Sequence, residues 1–444
     1  MDGFRWDYFD QQNLDFPGFR RMFKTGVKAE YMIPDFPSLS YPNYYSIMTG
    51  LHVESHGMVG NFMYDEKHKQ KFLAGINVAH KHPFWWDDGE PLWVSAEKQN
   101  KRVHMYYWPG CEAVIRGVKP TYCREYNILL TPHVRQMKNA IIESIPLFKN
   151  DSADVVGIYL ETPDKYGHKY GVNSEKLNHA LEEVDQGVMF LQNKLKENGL
   201  EDKVNVMIFS DHGMTNVSDS RVVNLTTVID MADIDVIMDS GPTVYVWPKN
   251  NKIDKVYNDI KRFRHPRLQV YQKEEIPERW FCRHHYRIPP ILLVADSGWY
   301  IVHPTLKQIF SYFDSGQMRG HHGYDNIGKD MRAIFVANGP DFKTNMIAKP
   351  FHNVHLYQIM CHILDIKAAP NNGSWSHVRE MLRYPPAVPV TKPPINPSSS
   401  TVTKEGVKSN ASSFKCQSDL KLCFNMMLLL LVVSFIKKSV KQLV

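Results

Sequence analysis

Val204-Asn205-Val206-Met207-Ile208-Phe209 runs directly into Ser210-Asp211-His212-Gly213-Met214, and the reading of this stretch decides the fold. The apolar run is short and partly β-branched, so it reads as a buried parallel strand. Open α/β sheets bind ligands at the carboxyl ends of such strands. Here that end carries a carboxylate beside an imidazole, two good ligands for a hard-to-borderline divalent metal. A second run, Asp154-Val155-Val156-Gly157-Ile158-Tyr159, leads to Asp164, with His168 four residues further on. Pro163 and Gly167 predict a loop there, so a turn and not a helix face should bring Asp164 and His168 to one ion. Between the two runs, Glu175 to Lys196 places Leu177, Leu181, Val184, Val188, Leu191 and Leu195 at helical spacing. Strand, helix and strand make a βαβ unit, which predicts an α/β domain with a parallel sheet.

Two more segments offer ligands: Met1-Asp2-Gly3-Phe4-Arg5 and Gly320-His321-His322-Gly323. The chain has 20 His, so any one of them is ordinarily a surface or core residue. What changes the reading is that three Asp and several His all fall at strand ends or glycine-rich turns. Asp2, Asp164, Asp211, His168, His212 and one of His321 and His322 give three carboxylates and three imidazoles. That is three protein ligands for each of two zincs, with positions left for substrate oxygens, the pattern of a dinuclear phosphoesterase. A nucleophile is offered by Ser40 within Pro37-Ser38-Leu39-Ser40-Tyr41-Pro42-Asn43. No G-x-S-x-G elbow surrounds it, so activation by metal is expected.

The 444 residues, 43% apolar, suffice for a large core, and the net charge of +6 is spread without a long basic block. That distribution argues against nucleic acid as a partner. N-x-S/T sequons start at Asn150, Asn216, Asn224, Asn372 and Asn410, consistent with a secreted chain.

Together these motifs, with Tyr41-Pro42-Asn43, Met48-Thr49-Gly50, Ser55-His56-Gly57-Met58-Val59-Gly60-Asn61 and His322-Gly323-Tyr324-Asp325-Asn326, resemble the ectonucleotide pyrophosphatase/phosphodiesterase family of the alkaline phosphatase superfamily, from Asp2 to about Arg383. The resemblance implies an alkaline-phosphatase-like mixed, mostly parallel sheet flanked by helices over residues 1–384. It implies one zinc on Asp164, His168 and His322 and another on Asp2, Asp211 and His212. Ser40 becomes nucleophile and metal ligand, Asn61 the phosphate-oxygen donor, and Cys111–Cys123 a disulfide. Cys361 matches a family position whose usual partner is absent; Cys282 is one candidate partner, and the pairing of Cys282, Cys361, Cys416 and Cys423 stays open. Within the family the chain looks most like the choline-specific glycerophosphodiester phosphodiesterase, through Pro37–Tyr45, Tyr106-Tyr107-Trp108-Pro109-Gly110-Cys111-Glu112, Pro120-Thr121-Tyr122-Cys123 and Pro370–Ser376.

That likeness implies a serine mechanism releasing phosphocholine from glycerophosphocholine or lysolipids, with Tyr44, Tyr126 and Tyr159 caging the quaternary ammonium. Each aromatic face contributes about 0.5–2 kcal/mol to such a cation, and Glu143 or Glu161 is the acid expected beside it. The alternatives are a nucleotide pyrophosphatase and a catalytically silent cell-surface binding protein. A sulfatase is unsupported, since no C-x-P-x-R or S-x-P-x-R sequence surrounds Ser40.

Residues 385–415, rich in Pro, Ser, Thr and Lys, read as a disordered stalk. Residues 416–444 read as an apolar anchor of the GPI type, with a short transmembrane anchor as the alternative, on the extracellular face of the plasma membrane; the family leaves room for a homodimer. The chain as written opens without a signal peptide and without the apolar strand that the family places before Asp2. Such a central strand is expected to contribute on the order of 10 kcal/mol, so loose folding around Asp2 is anticipated.

Overall fold

The computed structural model describes residues 1–11, 14–127, 132–304 and 318–385; the 386–444 part of the expected stalk and anchor lies outside them. Among the described residues no helix is long and apolar enough to cross a membrane.

The strands that position the site are β1 (Gly26–Ala29), β2 (Val103–Tyr106), β3 (Tyr122–Arg124), β4 (Val155–Ile158), β5 (Val206–Phe209), β6 (Phe335–Asn338) and β7 (Met346–Ala348). They form two half-sheets. One has the order β7-β1-β6-β5, the other the order β3-β2-β4. The second is parallel throughout; in the first, β6 runs antiparallel to both β1 and β5. The helices in this region are α1 (Ser40–Thr49), α2 (Val134–Lys149), α3 (Asp164–Tyr170) and α4 (Glu175–Glu197).

α4 forms where the apolar spacing predicts it, and its Leu177, Leu181, Val184 and Val188 are fully buried. Ser174 caps it, accepting the Leu177 N–H at 3.2 Å. The same buried face carries Asp185, whose two oxygens accept the Gly18 and Phe19 N–H groups at 2.9 and 2.8 Å. A carboxylate on the core face is thus spent on the otherwise unpaired first turn of the Pro17–Thr25 helix.

The βαβ expectation needs correction in one respect. α3 and α4 do connect β4 to β5, but the two strands share no hydrogen bond, and β5 pairs with antiparallel β6, Phe209 opposite Phe335. Between β4 and β5 lies an apolar cavity of about 520 Å³. A further four-stranded antiparallel sheet, in the order Ile234–Met238, Thr243–Pro248, Ile291–Ala295 and Leu268–Gln272, has its own core and delivers Asp239 towards the site.

Candidate active site

Asp211 and His212 follow β5 directly, as their sequence position predicts, and Asp164 lies six residues beyond β4. Asp164 and His168 are not on a loop, however. They sit at i and i+4 on the short helix α3, which starts after Pro163 and ends at Gly171 with φ of 84°. The reason is local: a proline favours the start of a helix and a left-handed glycine ends it. One turn of helix then does what a turn was expected to do, with His168 Nε2 3.3 Å from Asp164 Oδ2.

His322 completes this cluster: its Nε2 lies 3.1 Å from His168 Nε2 and 3.5 Å from Asp164 Oδ1. In the second cluster, His212 Nε2 lies 3.3 Å from both Asp2 Oδ1 and Asp211 Oδ2. Each triad brings its donor atoms within 4.8 Å of one another. The His212 and His322 rings stack at 3.5 Å, so the two clusters adjoin. His321 stands apart, its Nδ1 beside the His322 carbonyl at 2.9 Å.

Three observations fit this donor set to cations. First, Asp2 Oδ1, Asp164 Oδ1 and Asp211 Oδ2 are buried without a hydrogen-bond partner, an arrangement that costs free energy unless a positive charge meets them. Second, Nδ1 of His168, His212 and His322 faces the carbonyls of Gly320, Gly213 and Ser38 at 2.9, 2.8 and 2.9 Å. Donating there fixes the tautomer and leaves every Nε2 lone pair directed at the clusters. Third, burial and the adjacent Asp2 charge push the Asp211 carboxyl up to about 7, a crowding that a bound dication relieves.

Asp2 is held by backbone and side chain together. Its N–H donates to the Leu160 carbonyl at 2.8 Å, and the Tyr159 hydroxyl donates to its Oδ2 at 2.5 Å. Tyr44 donates to the same oxygen. Gly3, at φ of 64°, is required here: a Cβ would lie 2.8 Å from Asp164 Oδ1.

Ser40 Oγ lies 3.2 Å from His212 Nε2. Sequence reasoning places Ser40 in a proline-rich segment; the structure makes it the first residue of α1. The helix amino terminus directs positive potential at this point, suiting an anion. Asn43, to which sequence reasoning gives no role, ties the preceding loop down. Its Nδ2 donates to the Pro37 and Leu39 carbonyls at 3.0 and 2.8 Å, and its Oδ1 accepts the Asp35 N–H at 2.7 Å. Its i+3 spacing from the nucleophile is the signal that could have revealed it. Asn61 Oδ1 accepts the Tyr41 N–H at 3.0 Å, which leaves Nδ2 as a donor next to the nucleophile. Asn61 is itself held through its own N–H by Asp239 at 3.1 Å.

Tyr44, Tyr126 and Tyr159 do converge: ring centroids are 5.3 Å apart for Tyr44 and Tyr159 and 5.6 Å for Tyr126 and Tyr159. Glu161 joins them, accepting from the Tyr126 hydroxyl at 3.4 Å. Glu143 does not, being engaged by Arg124 at 3.1 and 2.9 Å. A carboxyl missed in the sequence is Glu112. It is buried next to the Cys111–Cys123 disulfide with Oε2 unpartnered, and burial pushes it up to about 7. Cys282 and Cys361, by contrast, are both free and buried, so the substitute pairing does not form.

An α/β fold with two carboxylate–imidazole triads around one serine defines a metal-dependent phosphodiesterase of the alkaline-phosphatase type. The model of the Type I phosphodiesterase / nucleotide pyrophosphatase family matches residues 1–325, and the chain belongs to that family. It is 38% identical to human bis(5'-adenosyl)-triphosphatase ENPP4 over 387 residues, 86% of this chain and 80% of that protein. It is 34% identical to human ectonucleotide pyrophosphatase/phosphodiesterase family member 7, over 88% of this chain and 84% of that one. Among solved structures, murine ectonucleotide pyrophosphatase/phosphodiesterase 5, an inactive form in complex with AMP, superposes with a TM-score of 0.78 at 33% identity, covering 86% of this chain and 98% of that one.

Proposed function

We propose that the chain is a two-zinc phosphodiesterase in which Ser40 Oγ attacks the phosphorus, an alcohol leaves, and water then releases the phosphate monoester from Ser40. The observation that carries this is the position of Ser40 Oγ, at a helix amino terminus and 3.2 Å from the His212 nitrogen that faces one triad. Asp164, His168 and His322 would hold one ion and Asp2, Asp211 and His212 the other. When bound, the ions supply Lewis-acid stabilisation of the attacking and leaving oxygens. The chain's own contribution is positioning. Asn43 fixes the backbone ahead of Ser40, Asn61 offers an amide donor to a phosphate oxygen, and Tyr44 and Tyr159 orient Asp2.

For the substrate we propose a choline-headed phosphodiester such as glycerophosphocholine or lysophosphatidylcholine. The support is the grouping of Tyr44, Tyr126 and Tyr159 with Glu161, aromatic faces beside an acid, which suits a cation that donates no hydrogen bond. A second reading, a nucleotide phosphodiester, is favoured by the relatives: one is named a bis(5'-adenosyl)-triphosphatase, and another was solved with AMP. On the comparisons alone, this nucleotide reading has the better support. Stacking of a base would use the same tyrosines.

The deciding assay supplies glycerophosphocholine and a nucleotide test ester separately to wild type and Ser40→Ala. Phosphocholine release that vanishes in the variant supports the choline reading. Nucleotide ester cleavage alone would replace it with the second, and neither activity in a zinc-loaded protein would sink both. We further infer an extracellular location, supported by the disulfide and the sequons.

A further inference from the structure

The four-stranded antiparallel sheet ends in an open strand. Leu268–Gln272 stands last in it and pairs only with Ile291–Ala295, Val270 opposite Leu293. In such a ladder only half of a strand's backbone groups turn towards a given neighbour, so the other half points away from Ile291–Ala295. Among the described residues, the backbone of Gln269, Val270 and Tyr271 bonds nothing outside that ladder. A row of donors and acceptors is left free to pair with a further chain.

A groove of about 320 Å³ adjoins this strand. Leu268 to Tyr271 all line it, residues of both faces, and no residue of Ile291–Ala295 does, which places it at the edge and not over a face. Its other wall is the end of the Ile253–Phe263 helix and the turn after it, carrying Lys261, Arg264 and His265. The helix is held in place because Val256 and Ile260 share a core with Val270 and Leu293. The wall belongs to Lys261-Arg262-Phe263-Arg264-His265-Pro266-Arg267, a local basic surplus in a chain whose charge is otherwise spread. Arg262 is met by Asp259 at 3.7 Å and Arg267 by Asp296 at 3.3 Å. Lys261 and Arg264 line the groove and have no ion-pair partner among the described residues; Lys261 rests over the Tyr257 ring at 5.3 Å. No carboxylate lines the groove.

We propose that this groove is a docking site for an extended acidic segment of a partner protein, added as a further strand to Leu268–Gln272 beneath Lys261 and Arg264. Backbone donors and acceptors at the edge select a peptide over a sulfated polysaccharide, which has no ladder to offer. The strand is five residues long, which sets the occupant at about the same length. Alternation sets where its acids lie. Leu268 and Val270 turn to the helix side, with the core that contains Ile260, whereas Tyr271 turns to the other core. On that other side Tyr271 donates to Gln269 at 2.6 Å, and Gln269 donates to Asp296 at 3.0 Å. Acids at every second position, towards the helix, therefore meet Lys261 and Arg264 and avoid Asp296. The same basic rim repels a second copy of this edge.

The test titrates the full chain with a fluorescein-labelled Glu-Thr-Glu-Thr-Glu peptide, read by anisotropy and by amide hydrogen exchange at 268–272. Two further copies are N-methylated, one at the glutamates and one at the threonines. A third carries Lys for Glu. The expected result is saturable binding, slowed exchange within 268–272 and no binding of the Lys copy. One N-methylated copy should bind and the other fail, since only alternate residues turn their N–H groups to the edge. The double variant Lys261→Glu, Arg264→Glu changes two exposed side chains, so its thermal midpoint should match wild type while affinity falls at least about tenfold. No saturable binding, equal binding of the Lys copy, full affinity in the variant, or both N-methylated copies binding like the parent would overturn the proposal. Binding of heparin without binding of the peptide would also overturn it and give the rim to a sulfated polysaccharide. None of these readouts uses phosphodiester cleavage, so the outcome stands apart from the proposed function.

Discussion

Ser40 and Asn61 touch the same small volume yet should fail differently when replaced. Ser40→Ala removes the attacking oxygen and should lower turnover roughly 10³-fold or more, while zinc content by metal analysis stays at two per chain. Asn61→Ala leaves the nucleophile in place and removes one donor, so a loss of about 10²–10³ in kcat is expected, with zinc again retained. Behind Asn61, Asp239 offers a test by pH. Burial pushes its carboxyl up to about 8 from an ordinary 3.8, so the folded chain holds this proton where the unfolded chain has lost it. A raised carboxyl stabilises fully below the unfolded value, and that contribution is lost as pH climbs through 8. Asp239→Asn keeps a neutral acceptor for the Asn61 N–H and should flatten the fall in melting temperature between about pH 4 and 8. An unchanged slope in the variant would show that Asp239 is not the group titrating.

At the scale of elements, the site depends on how three short pieces end. α1 begins at the nucleophile because Asn43 reaches back over its first turn. Asn43→Ala takes the shared acceptor from the Asp35 N–H and Asn353 Nδ2, and should cost about 1–3 kcal/mol in chemical denaturation along with most of the activity. Gly3→Ala would push a methyl against Asp164 and strain the left-handed backbone, so zinc affinity should drop for both triads together. These elements also show what was legible in the sequence. Asp211 and His212 are readable because a strand end is a fixed place on a sheet. Asp164 and His168 are readable as ligands but not as helical, since Pro163 and Gly167 look like breakers, whereas the short helix starts just after Pro163, carries Gly167 within it and ends at Gly171. The buried Glu112 and the role of Asn43 are invisible for a different reason: each depends on contacts from elsewhere in the fold, and neither residue type announces burial. That β4 and β5 stay apart around a cavity is a matter of packing, which no residue type announces.

Across the whole molecule, the two triads draw from both half-sheets. Asp164 and His168 follow β4, Asp211 and His212 follow β5, and Asp2 is bonded at the junction of the two. Chelation should therefore do more than stop catalysis. Without cations, Asp2, Asp164 and Asp211 are left crowded and buried. The thermal midpoint should fall by several degrees in excess chelator and return with added zinc, through the usual coupling of binding to stability. An unchanged midpoint would mean that the triads bind no stabilising ion. The divided sheet also acts as a calliper on the active site. The distance between its jaws is set by how the cavity behind them is packed, and the reading is taken at the stacked His212 and His322 rings. Substitutions at Ile141 or Leu191, which never approach a phosphate, would then alter turnover by changing that opening, and screens for activity should recover variants from the sheet's interior as readily as from its rim.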